Sequence, residues 1–485
     1  MGEVKKVSRR DYLKYTGAAI GGLIVGGALG YLAKPAEVVE KTATVTAPGV
    51  EKTITTTVEK TVTKTVTGTP TLTLTGPIEL EWWHNDNRPA WIEACEFLMN
   101  EYHKRHPNVT IRKEVVGWVN EPKILAAIQT KTVPDIAMSY SGGAVTFAAT
   151  GGLIPVTDII EEHGKNDFPP SDIKTVSWKG EYWAVPDIDT IHVLWCRKDF
   201  LDEKGLKPPK TWDDLLSVAK ALTEDTDKDG KIDRYGVAWA LGGVDGPEVI
   251  WAFMRTNDAE IFDENLNIIF NSKETKETYE FLKELHPYVW PGYVTMSETD
   301  VRLQIIDGKA AMGITSTSFI YDCIRAGKEE ILEKFITVPI PIKKHYGTFH
   351  CSTHYFVFKD AKHKEVAKDF LKFMLEPDIL AQYAAICPTG FIPATYSAQK
   401  NPLWRESPLV KKYWHLIEPG VLQAPYMSIP GAANRMNPYV GAIQARLILP
   451  KAFAKIITEN VSVDEALKWA ESEIRKVVKE IGPAE

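Results

Sequence analysis

Flat aromatic rings and short polar groups able to bond hydroxyls recur together in this chain. The segment Trp83-His84-Asn85-Asp86-Asn87-Arg88 sets an indole beside an imidazole, two amides, a carboxylate and a guanidinium. That mixture suits a ligand with C–H faces for a ring to cover and hydroxyl edges for amides, carboxylates and arginine to bond. Trp82 and Trp83 alternate in an extended strand, so one is core; Trp82 is expected inward and Trp83 toward a cleft. Tyr140-Ser141-Gly142-Gly143 is a second polar and aromatic loop. Asp187 and Asp189 are two residues apart, which in an extended segment puts both carboxylates on one face about 6.5–7 Å apart. By distance alone this suits some glycosidases, but no other signal points to an enzyme, and none is expected. Trp239 and Trp251 are candidate stacking platforms, with a core role as the competing assignment. His350, Cys351 and His354 offer three metal-ligating side chains without a fourth and on no recognised zinc spacing. Asp225, Asp227, Asp229 and Asp233, with Gly230 at the sixth place, match the first two-thirds of an EF-hand loop, but position twelve is Gly236 instead of the bidentate glutamate. A weak structural calcium ion competes there with a plain polar turn, and no other cofactor is expected.

The elements around these residues alternate. Ile78 to Trp83 is strand-like. Ala90 to His106 has helical spacing, with Ile92, Cys95, Leu98 and Tyr102 on one face. Val109–Val116 reads as a strand, Glu121–Thr130 as a helix and Pro134–Ser139 as a strand. This β-α-β-α-β order implies right-handed crossovers and a mostly parallel sheet. Loops past the carboxyl ends of such strands line the ligand crevice, and the two loops named first lie there.

The chain has 485 residues, 57 Lys+Arg and 64 Asp+Glu, for a net charge of −7. With 25% charged and 44% hydrophobic residues it has ordinary globular composition. It carries no basic excess to meet phosphates, so nucleic acid is not an expected partner. Five scattered cysteines exclude a disulfide scaffold and leave room for one bridge.

The first 77 residues read as address and stalk. Ser8-Arg9-Arg10-Asp11-Tyr12-Leu13-Lys14 resembles a twin-arginine export signal, with a plain positive-inside anchor as the alternative. Thr16 to Ala33 carries no charge over 18 residues, and residues 1–34 are expected to form an export signal and uncleaved membrane anchor. Residues 42–75 hold 15 Thr in 34 positions, punctuated by Pro and Gly. Residues 35–77 are therefore expected to be a disordered, extended stalk, long enough to lift a head on the order of 100 Å from a membrane. The head is expected outside the cytoplasm, tethered to the outer face of the membrane.

A run of landmarks then appears in order: Phe97 to Val109, Lys123 to Ile128, Gly152-Leu153-Ile154-Pro155-Val156, Gly180 to Pro186, Leu194-Trp195, Pro208 to Trp212, Gly308 to Met312, Pro339 to Pro341, His363 to Phe370 and Val463 to Leu467. With this spacing, residues 78–480 resemble the extracellular solute-binding proteins of ABC importers, in particular the sugar-binding group that includes maltose-binding proteins; the stalk and anchor resemble archaeal members. The resemblance implies an α/β, two-lobed periplasmic-binding-protein-like fold (class II) whose lobes are joined by crossing strands and close over a ligand. Lobe one is expected at 78–188 plus 345–395 and lobe two at 189–344 plus 396–485. The implied partners are a small-molecule carbohydrate and an ABC permease, with a peptide, polyol, glycerol phosphate or polyamine as alternative solutes. The resemblance makes Asp189 the hinge carboxylate that contacts sugar hydroxyls. It brings the loop with His350 to the ligand and makes the loop of Tyr426 and Arg435 the last cleft lining. Family members often carry a Trp just after the Gly308–Met312 element; here Gly313 to Ser318 has none, which leaves Ser316 as a polar candidate and argues against a maltodextrin-type stacking site. The candidate ligand set is thus Trp83, His84, Asp86, Arg88, Tyr140, Ser141, Asp189, Trp239, Trp251, Ser316, His350, Tyr426 and Arg435.

Overall fold

In a computed structural model, the chain is described over residues 76–117, 120–140, 142–242, 246–349 and 351–482. The expected anchor and nearly all of the expected stalk lie outside the described residues, as do Ser141 and His350 of the candidate ligand set.

Six strands make the first sheet: β1 (Ile78–His84), β2 (Val109–Val115), β3 (Ile136–Tyr140), β6 (Val185–Asp189), β12 (Ser352–Val357) and β13 (Ile392–Pro393), in the order β13-β6-β12-β3-β1-β2. A short hairpin, β4 (Ser177–Trp178) and β5 (Glu181–Tyr182), lies beside it in sequence. The second sheet holds β7 (His192–Arg197), β8 (Tyr235–Ala238), β9 (Ala310–Ser316) and β10 (Phe335–Val338), in the order β10-β7-β9-β8. A two-stranded parallel ribbon joins β11 (Thr348–Phe349) to β14 (Met427–Ser428). The sheets are mixed instead of mostly parallel as expected. β1 pairs parallel with β2 and β3, and β8 with β9. β12 pairs antiparallel with β3 and β6, β13 with β6, and β7 with β9 and β10. The reason is that β12 and β7 each enter their sheet from a crossing, and so run opposite to the strands that lead up to it.

Hydrophobic alternation explains β1. Leu80, Trp82 and His84 are fully buried on one face, while Glu79, Glu81 and Trp83 occupy the other. Trp82 is inward as expected, packed against Tyr355 and Phe370. The helix Pro89–Arg105 begins on a proline and buries Trp91, Ala94, Cys95, Leu98 and Tyr102. Its apolar stripe includes Trp91 in place of the expected Ile92, which is exposed. Both positions neighbour Cys95 on a helix, and the larger indole wedges between His84, Tyr383 and Phe391. In the second lobe, a reciprocal capping box between Thr211 and Asp214 starts the helix Trp212–Leu222, and Trp212 stacks on Phe281 with ring centroids 4.4 Å apart.

The chain passes from sheet one to sheet two between Asp189 and His192, and returns between Phe349 and Ser352. The helices Tyr396–Lys400 and Pro402–Arg405 pack on the helix Pro377–Ile386 beside β13. The final return to the second lobe therefore follows Arg405 instead of falling at 396. The helix Trp414–Gln423 then packs on β10. Lobe contact is close at Gly390, with φ +105, where an added Cβ would lie 2.1 Å from the Thr317 carbonyl oxygen. All five cysteines are buried and free.

Trp82→Ala would empty the centre of the first lobe and is expected to lower its stability by about 3–5 kcal/mol, read as a lower denaturant midpoint.

Candidate functional site

The registers set which ends of the strands meet. β1, β2 and β3 run parallel, so His84, Val115 and Tyr140 end at one edge. β12 runs antiparallel to β3 with Thr353 opposite Tyr140, and β6 antiparallel to β12 with Asp189 opposite Ser352. The edge of sheet one thus presents Asp189, Ser352, Tyr140 and the loop after His84. In sheet two, His192 pairs with Ser316, and β8 ends beside Gly313. The crossing segment from Asp189 to His192 connects the two edges directly, so both face one gap.

Several of the candidates gather there. Asp189 is fully buried, and a hydrogen bond links it to the Asp172 carboxyl from the helix Pro170–Val176, whose own proton affinity burial drives well up. The Tyr140 hydroxyl hydrogen-bonds with the Cys351 thiol, and burial raises both groups well above their usual pKa. The charges of Glu248, Glu298 and Asp189 all bear on Cys351, which lies in the return crossing. His192 Nε2 lies 3.1 Å from Glu248 Oε2 and 3.5 Å from Glu298 Oε1. Glu298 Oε1 accepts from Thr315 Oγ1 and from the Ser316 amide, both at 2.6 Å, and pairs with Arg302 Nη2 at 2.8 Å. Although burial opposes ionisation, Arg302, His192 and these hydrogen bonds hold the Glu298 carboxyl far below the usual carboxylate range. The Ser316 hydroxyl accepts from Arg302 Nη2 at 2.9 Å and shares a 2.8 Å bond with Ser318.

Glu248 and Glu298 each sit in the first turn of a helix, Gly246–Thr256 and Glu298–Ile306, where a carboxylate is favoured. Sequence reasoning missed His192, Glu248, Glu298, Arg302 and Asp172. The signal available was the Ser297-x-x-Asp300 capping box, which announces a helix start at Glu298.

Other candidates go elsewhere. His84 is core: burial pushes its pKa down to about 3, and its ring packs edge-on against Trp82 and Trp91. Trp83 stands on the sheet face opposite Trp82, with Lys123 Nζ 4.3 Å from its ring centre. Trp239 is buried among Phe253, Tyr293 and Phe453. Trp251 is fully buried and donates from Nε1 to the Ser428 carbonyl at 2.9 Å. Both tryptophans belong to the second lobe's core because large rings on helix and strand faces bury more apolar area there than at a polar edge. Asp86 is buried and clamped to Arg88, with Oδ2 2.8 Å from Nε and 2.7 Å from Nη2; the Arg88 guanidinium lies 5.7 Å from the centre of the Tyr321 ring in the other lobe. Tyr426 is exposed with its ring against Tyr346, and Arg435 is exposed.

Asp187 does not form a catalytic pair with Asp189. It accepts from Thr353 Oγ1, and from Tyr383 at 3.2 Å, within lobe one. Burial pushes its pKa up to about 8. In the acidic loop, carboxylate oxygens of Asp225, Asp227 and Asp229 lie within 4.8 Å of one another, so these three could hold a cation. Asp233 is engaged otherwise, accepting from the Thr226 amide at 2.7 Å and its hydroxyl at 2.8 Å. The loop precedes β8, whose other end reaches the gap, so it lies far from the candidate ligand site.

The family model described as bacterial extracellular solute-binding protein matches residues 89–380. The chain is 22% identical over 369 residues to the putative ABC transporter periplasmic-binding protein YcjN of Escherichia coli, covering 74% of this chain and 83% of that protein. It is 23% identical over 345 residues to the maltotriose-binding protein of Pyrococcus abyssi, covering 69% of this chain and 71% of that one. Its fold is similar to that of the sugar-binding protein MalE from Xanthomonas citri, with a TM-score of 0.69 at 18% identity, covering 83% of this chain and 98% of that structure.

Because the folded state holds the Asp187 proton up to about pH 8 and an unfolded aspartate releases it near pH 4, the native state binds the extra proton between those values. Stability contributed by this group is therefore full in acid and declines as pH rises through that window. Asp187→Asn is expected to flatten the dependence of Tm on pH between about 4 and 8, measured by thermal unfolding across that range.

Proposed function

Since the chain belongs to the bacterial extracellular solute-binding protein family, we propose that it is an extracytoplasmic receptor that captures a mono- or oligosaccharide between its lobes and delivers it to an ABC permease. The observation that carries this reading is the convergence of Asp189 and Tyr140 from one sheet edge with His192 and Ser316 from the other around a single crossing. Such a site bonds hydroxyl edges from two lobes at once, and only the closed form completes it. No step of bond making is assigned: the carboxylates present are held by hydrogen bonds or basic partners, and Asp187 is turned into its lobe.

The three carboxylates near Cys351 raise a second reading, a cationic solute such as a polyamine. It is the weaker one. Glu298 is matched by Arg302, and Glu248 faces His192, so the lining does not present an uncompensated block of negative charge.

The proposal includes the N-terminal segment. Residues 1–34 would export and anchor the chain, by the twin-arginine route, and residues 35–77 would act as the stalk. Expressed in full, the chain is expected in the membrane fraction and released into the soluble fraction by deletion of residues 1–34; equal recovery of both forms in the soluble fraction would reject the tether.

Mass spectrometry of ligand released from the purified chain should identify a sugar. Titration calorimetry with that sugar should show Asp189→Asn weakening affinity by about tenfold or more, with Tm little changed. Recovery of a peptide or polyamine instead would overturn the substrate class and leave the receptor.

A further inference from the structure

Two buried amides at the carboxyl edge of the first sheet are left half-satisfied. Asn85 follows β1 and is 2% exposed; Asn120 precedes the helix Glu121–Thr130 and is 1% exposed. Asn120 Nδ2 donates to the Met138 carbonyl at 2.9 Å and to Asn85 Oδ1 at 2.6 Å. These bonds fix how both amides face. Only a nitrogen can donate to a main-chain carbonyl, so Asn120 turns its oxygen away from Met138. Asn85 gives its own oxygen to Asn120, so it turns its nitrogen away. The two groups left over, Asn85 Nδ2 and Asn120 Oδ1, are buried and have no partner. Leaving one donor and one acceptor unpaired in the interior is costly. Both residues lie beside the ends of β1 and β3, the edge that lines the crevice of a parallel sheet. Arg88, on the same loop as Asn85, reaches across to Tyr321 of the second lobe.

We infer that Asn85 and Asn120 form a ligand subsite for one neutral group that accepts and donates at once, a sugar hydroxyl or the acetamido group of an N-acetyl sugar. The inference rests on the carbohydrate reading above and sharpens it. A carboxylate or phosphate oxygen would satisfy Asn85 but set an acceptor against Asn120 Oδ1. An ammonium would satisfy Asn120 but set a donor against Asn85 Nδ2. Uronates, glycerol phosphate and polyamines are therefore rejected at this position, and neutral sugars are selected.

Asn85→Asp isolates the free donor, because the new side chain keeps an oxygen for Asn120 and replaces only Nδ2. The probes are maltotriose, N,N′-diacetylchitobiose, digalacturonate and glycerol 3-phosphate, titrated into the full chain at pH 8 and pH 5. The wild type is expected to bind one of the two neutral sugars in preference to both anions at each pH. The variant should lose about tenfold or more in affinity at pH 8 and recover part of it at pH 5, because burial at this position raises a carboxyl's proton affinity and the protonated form again supplies a donor. A merely structural role would give no such recovery. In the wild type, labelled with ¹⁵N at asparagine, the Asn85 side-chain NH₂ signal should shift on saturation with the sugar, a readout that does not depend on the variant folding. A neutral sugar that binds both proteins equally at pH 8, or leaves that signal unmoved, overturns the subsite while the receptor stands. Preference for either anion also overturns the subsite. Failure of both neutral sugars and both anions to bind overturns the carbohydrate reading and the subsite with it.

Discussion

Everything functional here depends on the direction of strands. In both lobes the strand ends that meet the gap set their side chains and amides where a ligand between the lobes would be met. The order of strands puts Asp189, Ser352, Tyr140 and Asn85 along one such edge and His192, Ser316 and the end of β8 along the other. The Asp189–His192 crossing is short, so the edges cannot drift apart at the hinge. Closure is then a rotation about a few residues instead of a rebuilding of either sheet.

Polar groups at that junction are heavily cross-bonded. His192 lies between Glu248 and Glu298, while Arg302 ties Glu298 to Ser316 and Ser318. Such a network costs desolvation when the lobes close, and the hydrogen bonds within it offset that cost. It also fixes the orientation of each group before a ligand arrives, which reduces what binding must spend on ordering. The large rings are elsewhere: Trp82, Trp91, Trp195, Trp239, Trp251 and Trp404 are all fully buried in the lobes. These six tryptophans serve the cores.

Much of the fold was legible because alternation and helical period are local. The start of β1, the helix after it, the β-α-β-α-β order and the inward Trp82 all follow from neighbours in the chain. The candidate site was less legible. Strand order pointed to the edge loops and so to Tyr140, whereas Asp189 came into the reading through the family resemblance. Sequence reasoning misjudged Trp239, because a tryptophan beside a strand end looks alike whether it faces a gap or a core, and Trp251, which its helix turns into the core. It also passed over Glu248, Glu298 and His192, which are far apart in the chain.

The amino-acid sequence by itself determined the α/β alternation, the strand faces and the polar loops at strand ends, since each rests on contacts within a few residues. Only the tertiary structure decided that Asp187 turns into its lobe while Asp189 meets Asp172, that His84 is core, and that Asn85 and Asn120 leave one donor and one acceptor unpaired. Those outcomes depend on which distant side chain arrives to complete a hydrogen bond or exclude water, and no local pattern carries that information.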